Sequence, residues 1–332
     1  MRKSLVAASI ALLLSAAPAL AFDLQGHRGA RGLMPENSLP GFARALSLGV
    51  TTLELDLAMT ADGQLVVTHD PKLNGDIAQG PDGAPDGTYV GEDGPLIREL
   101  TLAQVQSYDV GTLRPGSTYA GTFKDQQAVP GTRMPTLAEV VALTERAGAT
   151  AMRFNIEVKV NPARPELTID RKTFIQAAVA EIVRLGIVGR TTLQSFDWAV
   201  PMQAQKLEPA LKTAYLTIAR GRNDNIQRGR PGASPWMGGL DIDTFAGSAP
   251  KAIKEAGGAI WSPFFRDLTD DDLKIARELG LKTIPWTVND RQDMANLIER
   301  GVDGIITDYP DRLRAVLAEK GMALPAAFAV QP

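Results

Sequence analysis

The chain holds only two histidines, His27 and His69, and they bracket HRGARGLMPENS (27–38) and LELDLAMT (53–60). A single histidine is commonly a surface residue or a satisfied core residue. Two that follow apolar runs on either side of one carboxylate pair suggest a general acid and a general base acting on a single ester. The carboxylates between them are Glu54 and Asp56. On a strand, positions i and i+2 point the same way with about 6–7 Å between Cα atoms, so the pair could share one ion. The run Asn155-Ile156-Glu157-Val158-Lys159 repeats the pattern, setting Glu157 and Lys159 on one face and Ile156 and Val158 on the other. Three carboxylates aimed into one space repel unless a cation binds them, and an all-oxygen set suits Mg²⁺ or Ca²⁺ better than a softer metal. One divalent cation on Glu54, Asp56 and Glu157 is therefore expected.

Arg28 and Lys159 are the nearest cations to this group. A phosphate matches the forked donors of arginine and the point charge of lysine. Salt bridges to the same carboxylates are the ordinary alternative, and they are compatible with that role when substrate is absent. Trp286, in TIPWTVND, could wall an organic leaving group or simply pack the fold. Gly26–Gly32 lacks the GxGxxG spacing and no P-loop is present, which disfavours a nicotinamide or nucleoside-triphosphate enzyme.

Positioning these groups requires strand ends that meet. Phe22–Gly26 reads as a strand ending at His27. A helix capped by Asn37 or Ser38 follows, with Leu39, Phe42, Ala43 and Leu46 at helical spacing and Gly49 as its stop. Thr51–Ala58 alternates as a strand, and Asp62-Gly63 turns it into Gln64–Thr68 just before His69. From about 70 to 132 the chain is rich in Gly, Pro, Asp and Thr, with one helical patch near Leu100–Tyr108. This predicts an irregular insertion packed over one end of the main domain.

After Pro135, strands are expected at Met152–Val160, Thr191–Ser195, Lys212–Thr217, Ala259–Ser262, Lys282–Val288 and Asp303–Thr307. Helices lie between them, a last helix covers Asp311–Lys320, and a loosely held tail follows. Residues 220–243 give no clear pattern. Eight strands, each followed by a helix or a long connection, fit one (β/α)8 TIM barrel better than two domains, with a doubly wound open sheet as the competitor. His27, Glu54/Asp56, Glu157/Lys159, Ser195-Phe196, Trp286 and Asp308 all fall late in strands or just after them. In such a barrel those ends share one mouth.

Composition sets the remaining bounds. The formal charge of −3 over 332 residues offers no global attraction to nucleic acid or anionic lipid, so a small-molecule substrate is expected. The absence of cysteine excludes disulfides, thiolate metal sites and a cysteine nucleophile. Residues 1–21 combine Arg2 and Lys3, an apolar run from Leu5 to Leu14 and an Ala19-Leu20-Ala21 cleavage site. They read as a secretory signal peptide, so the mature chain, 22–332, is expected to be exported, periplasmic or secreted, with no stable membrane insertion.

With these residues in place, the chain resembles the glycerophosphodiester phosphodiesterase family. The likeness is carried by HRGARGLMPENS, LELDLAMTADGQLVVTHD (53–70), NIEVK (155–159), QSF (194–196), WTVN (286–289) and DGIITDYP (303–310). The family places an insertion after its second histidine, as here; Ser38 stands where threonine is common.

The resemblance implies a TIM barrel that hydrolyses glycerophosphodiesters to glycerol 3-phosphate and an alcohol such as choline, ethanolamine or glycerol. It makes His27 and His69 the acid-base pair, Glu54, Asp56 and Glu157 the metal ligands, and Arg28 and Lys159 the phosphate clamps. The cation would polarise a phosphoryl oxygen and acidify an attacking hydroxyl, either of water or of the substrate's own glycerol. Two other readings compete. A sphingomyelinase-D-like phospholipase would need an apolar docking rim. A non-catalytic phosphodiester-binding protein would have no use for two histidines.

Overall fold

A computed structural model describes residues 22–81 and 87–332; the expected signal peptide, 1–21, lies outside them. The eight expected barrel strands are present. They are β1 (Asp23–Gly26), β2 (Thr52–Met59), β4 (Arg153–Val158), β5 (Thr191–Ser195), β6 (Lys212–Thr217), β7 (Ile260–Pro263), β8 (Lys282–Thr283) and β9 (Gly304–Thr307), all parallel in the order β8-β7-β6-β5-β4-β2-β1-β9. The short β3 (Leu65–Val67) pairs antiparallel with β2 as the Asp62-Gly63 hairpin, with Gly63 at φ 77°. Backbone hydrogen bonds from Asp303 N to Thr283 O, Ile306 N to Pro285 O and Val288 N to Ile306 O join the two ends of the sheet. The ring of strands is thus a TIM barrel.

Helices cover the barrel's outer face: α1 (Leu39–Leu48), α4 (Leu137–Arg146), α5 (Arg171–Arg184), α6 (Ala199–Leu207), α7 (Ala249–Glu255), α8 (Asp270–Glu278), α9 (Arg291–Glu299) and α10 (Pro310–Glu319). Their starts follow local chemistry. The Ser38 hydroxyl accepts from Gly41 N, Thr136 and Glu139 form a capping box, and Asp290 accepts from the Gln292 and Asp293 amides. Alternation on the strands sends Leu53, Leu55, Leu57, Ile156 and Val158 outward into the main apolar cluster with the buried helix faces. Glu54, Asp56, Asn155 and Glu157, on the opposite face, occupy the barrel interior, and Cα pairing sets Glu54 beside Asn155 and Asp56 beside Glu157.

Three features depart from the sequence reading. Regular pairing in the expected strand Lys282–Val288 stops at Thr283, because Pro285 has no N–H to donate; the chain nevertheless continues along β7 through Trp286 N to Pro263 O. Residues 70–135 hold more than one helical patch. Besides α2 (Leu102–Gln106) there is α3 (Thr118–Thr122), too short to show helical periodicity and capped by the Ser117 hydroxyl. This stretch has its own apolar cluster around Leu73, Ile97, Val105, Val110 and Met134, set against Ala58 and Val66 of the hairpin. The final residues are not loose: Phe328 N donates to Leu46 O, Arg314 Nη1 to Pro325 O, and Met322, Phe328 and Val330 pack on the main core.

Candidate active site

The C-terminal ends of the strands form one polar cavity of about 180 Å³, lined by His27, Arg28, Arg31, Glu54, His69, Glu157 and Lys159 among others, with Phe196 and Trp286 in its wall. Glu54, Asp56 and Glu157 place one carboxylate oxygen each within 4.8 Å of one another, all buried. Seven of the eight residues expected to share a site therefore line one cavity, and the eighth belongs to the buried triad beside it.

The triad is built asymmetrically. Glu54 accepts from Arg28 N at 2.8 Å and from Gln194 Nε2 at 3.0 Å, which fixes both of its oxygens. Asp56 Oδ2 accepts from Asn37 Nδ2 at 2.9 Å, but Asp56 Oδ1 is buried without a hydrogen-bond partner. A buried carboxylate oxygen with no hydrogen bond, met only by the Lys159 ammonium at 3.8 Å, is open to ligation among three acids, so these residues fit a hard divalent ion. Burial and the charge of Asp56 raise the Glu54 carboxyl well above the usual carboxylate range. Burial also pushes Glu157 up to about 7, although Lys159 Nζ donates to it at 2.9 Å. Burial would raise Asp56 too, but His69, Arg28 and Lys159 hold it below the ordinary range. Without a cation, the site is electrostatically frustrated in the sense that its acids cannot all ionise cheaply.

The two histidines are mounted alike. His27 Nδ1 meets Asp308 Oδ1 at 2.6 Å, and His69 Nδ1 meets Asp70 Oδ1 at 2.8 Å. Each ring thus has an aspartate at Nδ1, and Nε2 is left as the free nitrogen; that of His27 lies 3.9 Å from Glu54 Oε2. Asp308 is itself held by Arg31, through Nε at 2.8 Å and Nη2 at 3.0 Å, and by Asn289 Nδ2 at 2.7 Å. Asn74 Nδ2 donates to Asp70 at 2.6 Å. Burial, reinforced by Arg31, lowers His27 to about 4; burial with Lys159 and Arg28 lowers His69 to about 4. Both rings are therefore neutral at pH 7 in the ligand-free protein.

Arg28 sits at φ 50° and Asn37 at φ 49°, a left-handed backbone that side chains seldom adopt and that concentrates at functional sites. The Arg28 guanidinium donates to Glu36 Oε1 at 2.8 Å and lies 3.4 Å from Asp56 Oδ2. Both cations thus pair with acids in the ligand-free site, as the ordinary reading of them expects. Trp286 packs the fold and also borders the cavity. Its ring packs on Phe196 and Phe264 with centroids 5.3 and 5.5 Å away, its Nε1 donates to Ser262 O, and it walls the cavity.

A second cleft of about 650 Å³ shares His69, Glu157, Lys159, Phe196 and Trp286 with the inner cavity, but His27 is not among its lining residues. Its outer wall comes from Arg222, Asn223, Asp224, Gln227, Pro235 and Trp236, in the stretch that gave no pattern in sequence. Sequence reasoning placed Asp308 at the mouth without a role, offered Asn37 only as a helix cap, and gave no site role to Asp70, Arg31, Asn289, Gln194 and Glu36. Asp70 was findable, since it directly follows His69. The others act through partners up to 281 positions away, which spacing does not reveal.

Histidines braced by carboxylates beside a buried acidic triad, at the mouth of a TIM barrel, form a site equipped for acid-base cleavage of an ester. A family model for the glycerophosphoryl diester phosphodiesterase family matches residues 27–312, and the chain belongs to that family. A glycerophosphodiester phosphodiesterase of Caldanaerobacter subterraneus is 28% identical over 295 residues, covering 89% of this chain and 97% of its own. Among solved structures, a Silicibacter pomeroyi protein provisionally described as a glycerophosphoryl diester phosphodiesterase matches with a TM-score of 0.78 at 35% identity, over 93% of this chain and 96% of that one. An Oleispira antarctica phosphodiesterase, solved with the product sn-glycerol-3-phosphate, shares the fold with a TM-score of 0.61 at 19% identity, over 89% of this chain and 96% of that one.

Proposed function

We propose that this protein hydrolyses glycerophosphodiesters such as glycerophosphocholine or glycerophosphoethanolamine to glycerol 3-phosphate and an alcohol, with one Ca²⁺ or Mg²⁺ held by Glu54, Asp56 and Glu157. The observation that carries the reading is the paired mounting of His27 on Asp308 and His69 on Asp70 around the orphaned Asp56 oxygen. The product complex of the Oleispira antarctica phosphodiesterase supports the same substrate class. A divalent cation bound to the triad supplies Lewis-acid polarisation of the phosphoryl group.

In this reading Arg28 and Lys159 hold the non-bridging phosphate oxygens and Trp286 walls the organic group. The inner cavity takes the glycerophosphoryl part, and the outer cleft takes the departing alcohol. His69 borders both spaces and is the general acid that protonates the leaving alkoxide; His27 borders the inner cavity and is the base that accepts the proton of the attacking hydroxyl. Burial is the main cause of the low His69 pKa in the ligand-free site, and a phosphodiester anion beside Lys159 and Arg28 would offset only their smaller share of the shift. Non-catalytic binding would leave the matched aspartates behind both rings without a purpose. No helix among the described residues is long and apolar enough to cross a membrane. The inner cavity of about 180 Å³ suits a free small molecule rather than a bilayer lipid or nucleic acid, and turnover of liposomes without turnover of glycerophosphocholine would reverse that.

We further propose that residues 1–21 direct export and that 22–332 form one barrel domain with an insertion at about 70–132. N-terminal sequencing of the mature protein, expected to begin near Phe22 in the periplasm or medium, checks the export reading. The reaction itself is tested by glycerol 3-phosphate release from glycerophosphocholine after EDTA treatment and again with Ca²⁺ or Mg²⁺ restored. Release only with metal is expected; no release with either ion would overturn the reading.

A further inference from the structure

The segment 117–127, far from the histidines in sequence, clasps the loop that carries His27, Arg28 and Arg31. Four contacts make the clasp. The Tyr119 hydroxyl donates to Glu36 Oε2, and the other oxygen of that carboxylate accepts from Arg28 Nη1 at 2.8 Å. The Arg31 guanidinium lies 4.7 Å from the centroid of the buried Phe123 ring. Gln126 Nε2 donates to Arg31 O at 2.7 Å, and Gln127 N donates to Leu33 O at 2.9 Å. The Tyr119 and Phe123 rings also pack against one another, tilted by 56° with centroids 4.9 Å apart.

This clasp bears on the site because Arg28 has a competing partner. Its Nε lies 3.4 Å from Asp56 Oδ2 and has no hydrogen bond of its own, while Glu36 draws the far end of the guanidinium away from the acidic triad. Glu36 is buried, and burial raises its carboxyl above the usual range, so it holds Arg28 as an ion only if both of its oxygens are satisfied. One oxygen is satisfied by Arg28 itself. The other depends on Tyr119.

We propose that Tyr119 is a positioning residue that, acting through Glu36, holds the Arg28 guanidinium where it meets the phosphate of the substrate, so that the 117–127 segment is part of the substrate-binding apparatus. This rests on Arg28 being a phosphate clamp, as read above. Without the Tyr119 hydroxyl, Glu36 carries an unpartnered buried oxygen and Arg28 swings toward Asp56. The anion subsite weakens, while the histidines and their aspartates stay in place.

The test is Tyr119→Phe, which keeps the ring on Phe123 and removes only the hydroxyl, assayed as the metal-loaded full-length protein. KM for glycerophosphocholine and the competitive inhibition constant of inorganic phosphate should rise together by about 5–30-fold, with kcat within about threefold and a modest fall in melting temperature from the buried oxygen left without its donor. Glu36→Gln should give the same signature, and the double variant should be no worse than Glu36→Gln alone. An unchanged phosphate constant, with or without a lower melting temperature, would overturn the proposal, as would additive effects in the double variant. Phosphate affinity is also read by calorimetry, without turnover. Failure of the wild type to hydrolyse glycerophosphocholine would sink the proposed substrate, whereas failure of Tyr119→Phe to weaken phosphate would sink the positioning role.

Discussion

His27 Nδ1 and Asp308 Oδ1 lie 2.6 Å apart across 281 positions of chain, joining the end of the first barrel strand to the end of the last. Because β1 pairs with β9, with Gly26 opposite Thr307, the residues that follow the two strands emerge side by side. The carboxylate fixes the ring tautomer with Nε2 facing the cavity, and Arg31 and Asn289 fix the carboxylate. Asp308→Asn keeps the shape but allows the ring to take the wrong tautomer. It should lower kcat by about 10²–10⁴-fold with a much smaller change in KM, measured by steady-state kinetics. A fall of less than threefold would remove Asp308 from the machinery.

The two histidines should separate by leaving group. Replacing either by alanine should cost about 10²–10⁴-fold in turnover of glycerophosphocholine. A p-nitrophenyl ester leaves without protonation, so His69→Ala should recover most of its loss on that substrate while His27→Ala should not. Recovery by His27→Ala instead would exchange the roles, and near-wild-type turnover by both variants would abolish them.

Metal binding should release protons. In the ligand-free protein Glu157 carries a pKa of about 7, above its ordinary value near 4.5, and Glu54 is raised as well. Below pH 7 a proton must leave Glu157 before a cation can bind, so affinity should fall as pH drops from about 7.5 to 6. The same shift means the folded apoprotein binds more protons than the unfolded chain between about pH 4.5 and 7, so this group makes the apoprotein less stable as pH rises through that window. Calorimetry of Mg²⁺ or Ca²⁺ binding at pH 6, in buffers of different ionisation enthalpy, should show proton release; Glu157→Gln should bind the ion far more weakly.

Gly26 should tolerate no side chain. A Cβ there would stand 2.1 Å from Gly29 O, in the turn that delivers His27 and Arg28. The obstacle is backbone inside a braced loop, so Gly26→Ala should cost about 2–4 kcal/mol in chemical denaturation and should displace His27 in whatever folds. A neutral effect on both stability and activity would show that the turn yields.

Much of this protein is written in local pattern. Alternation at Leu53–Ala58 and Asn155–Lys159 settles which side chains enter the barrel, because strand periodicity leaves no choice of face once the leucines and valines are buried. Caps at Ser38, Thr136, Thr269 and Asp290 mark helix starts because their side chains bond to amides two or three residues on. Eight such strands with their helices close into a barrel whose strand ends share a mouth, which is why seven of the eight expected site residues line one cavity and Asp56 joins Glu54 and Glu157 in one buried triad.

Tertiary structure alone decided what partners those residues. Asp308 behind His27, Gln194 on Glu54, Asn37 on Asp56 and Tyr119 on Glu36 join positions between 19 and 281 apart, and no periodicity encodes such pairs. The same holds for the tail, which is anchored by the Leu46 carbonyl and the Arg314 side chain rather than by any signal in its own residues. Sequence settles which face of an element a residue occupies, since that is fixed by bond geometry over a few residues. Which groups meet across the mouth depends on where loops of the closed barrel cross, and the whole chain must fold to define that.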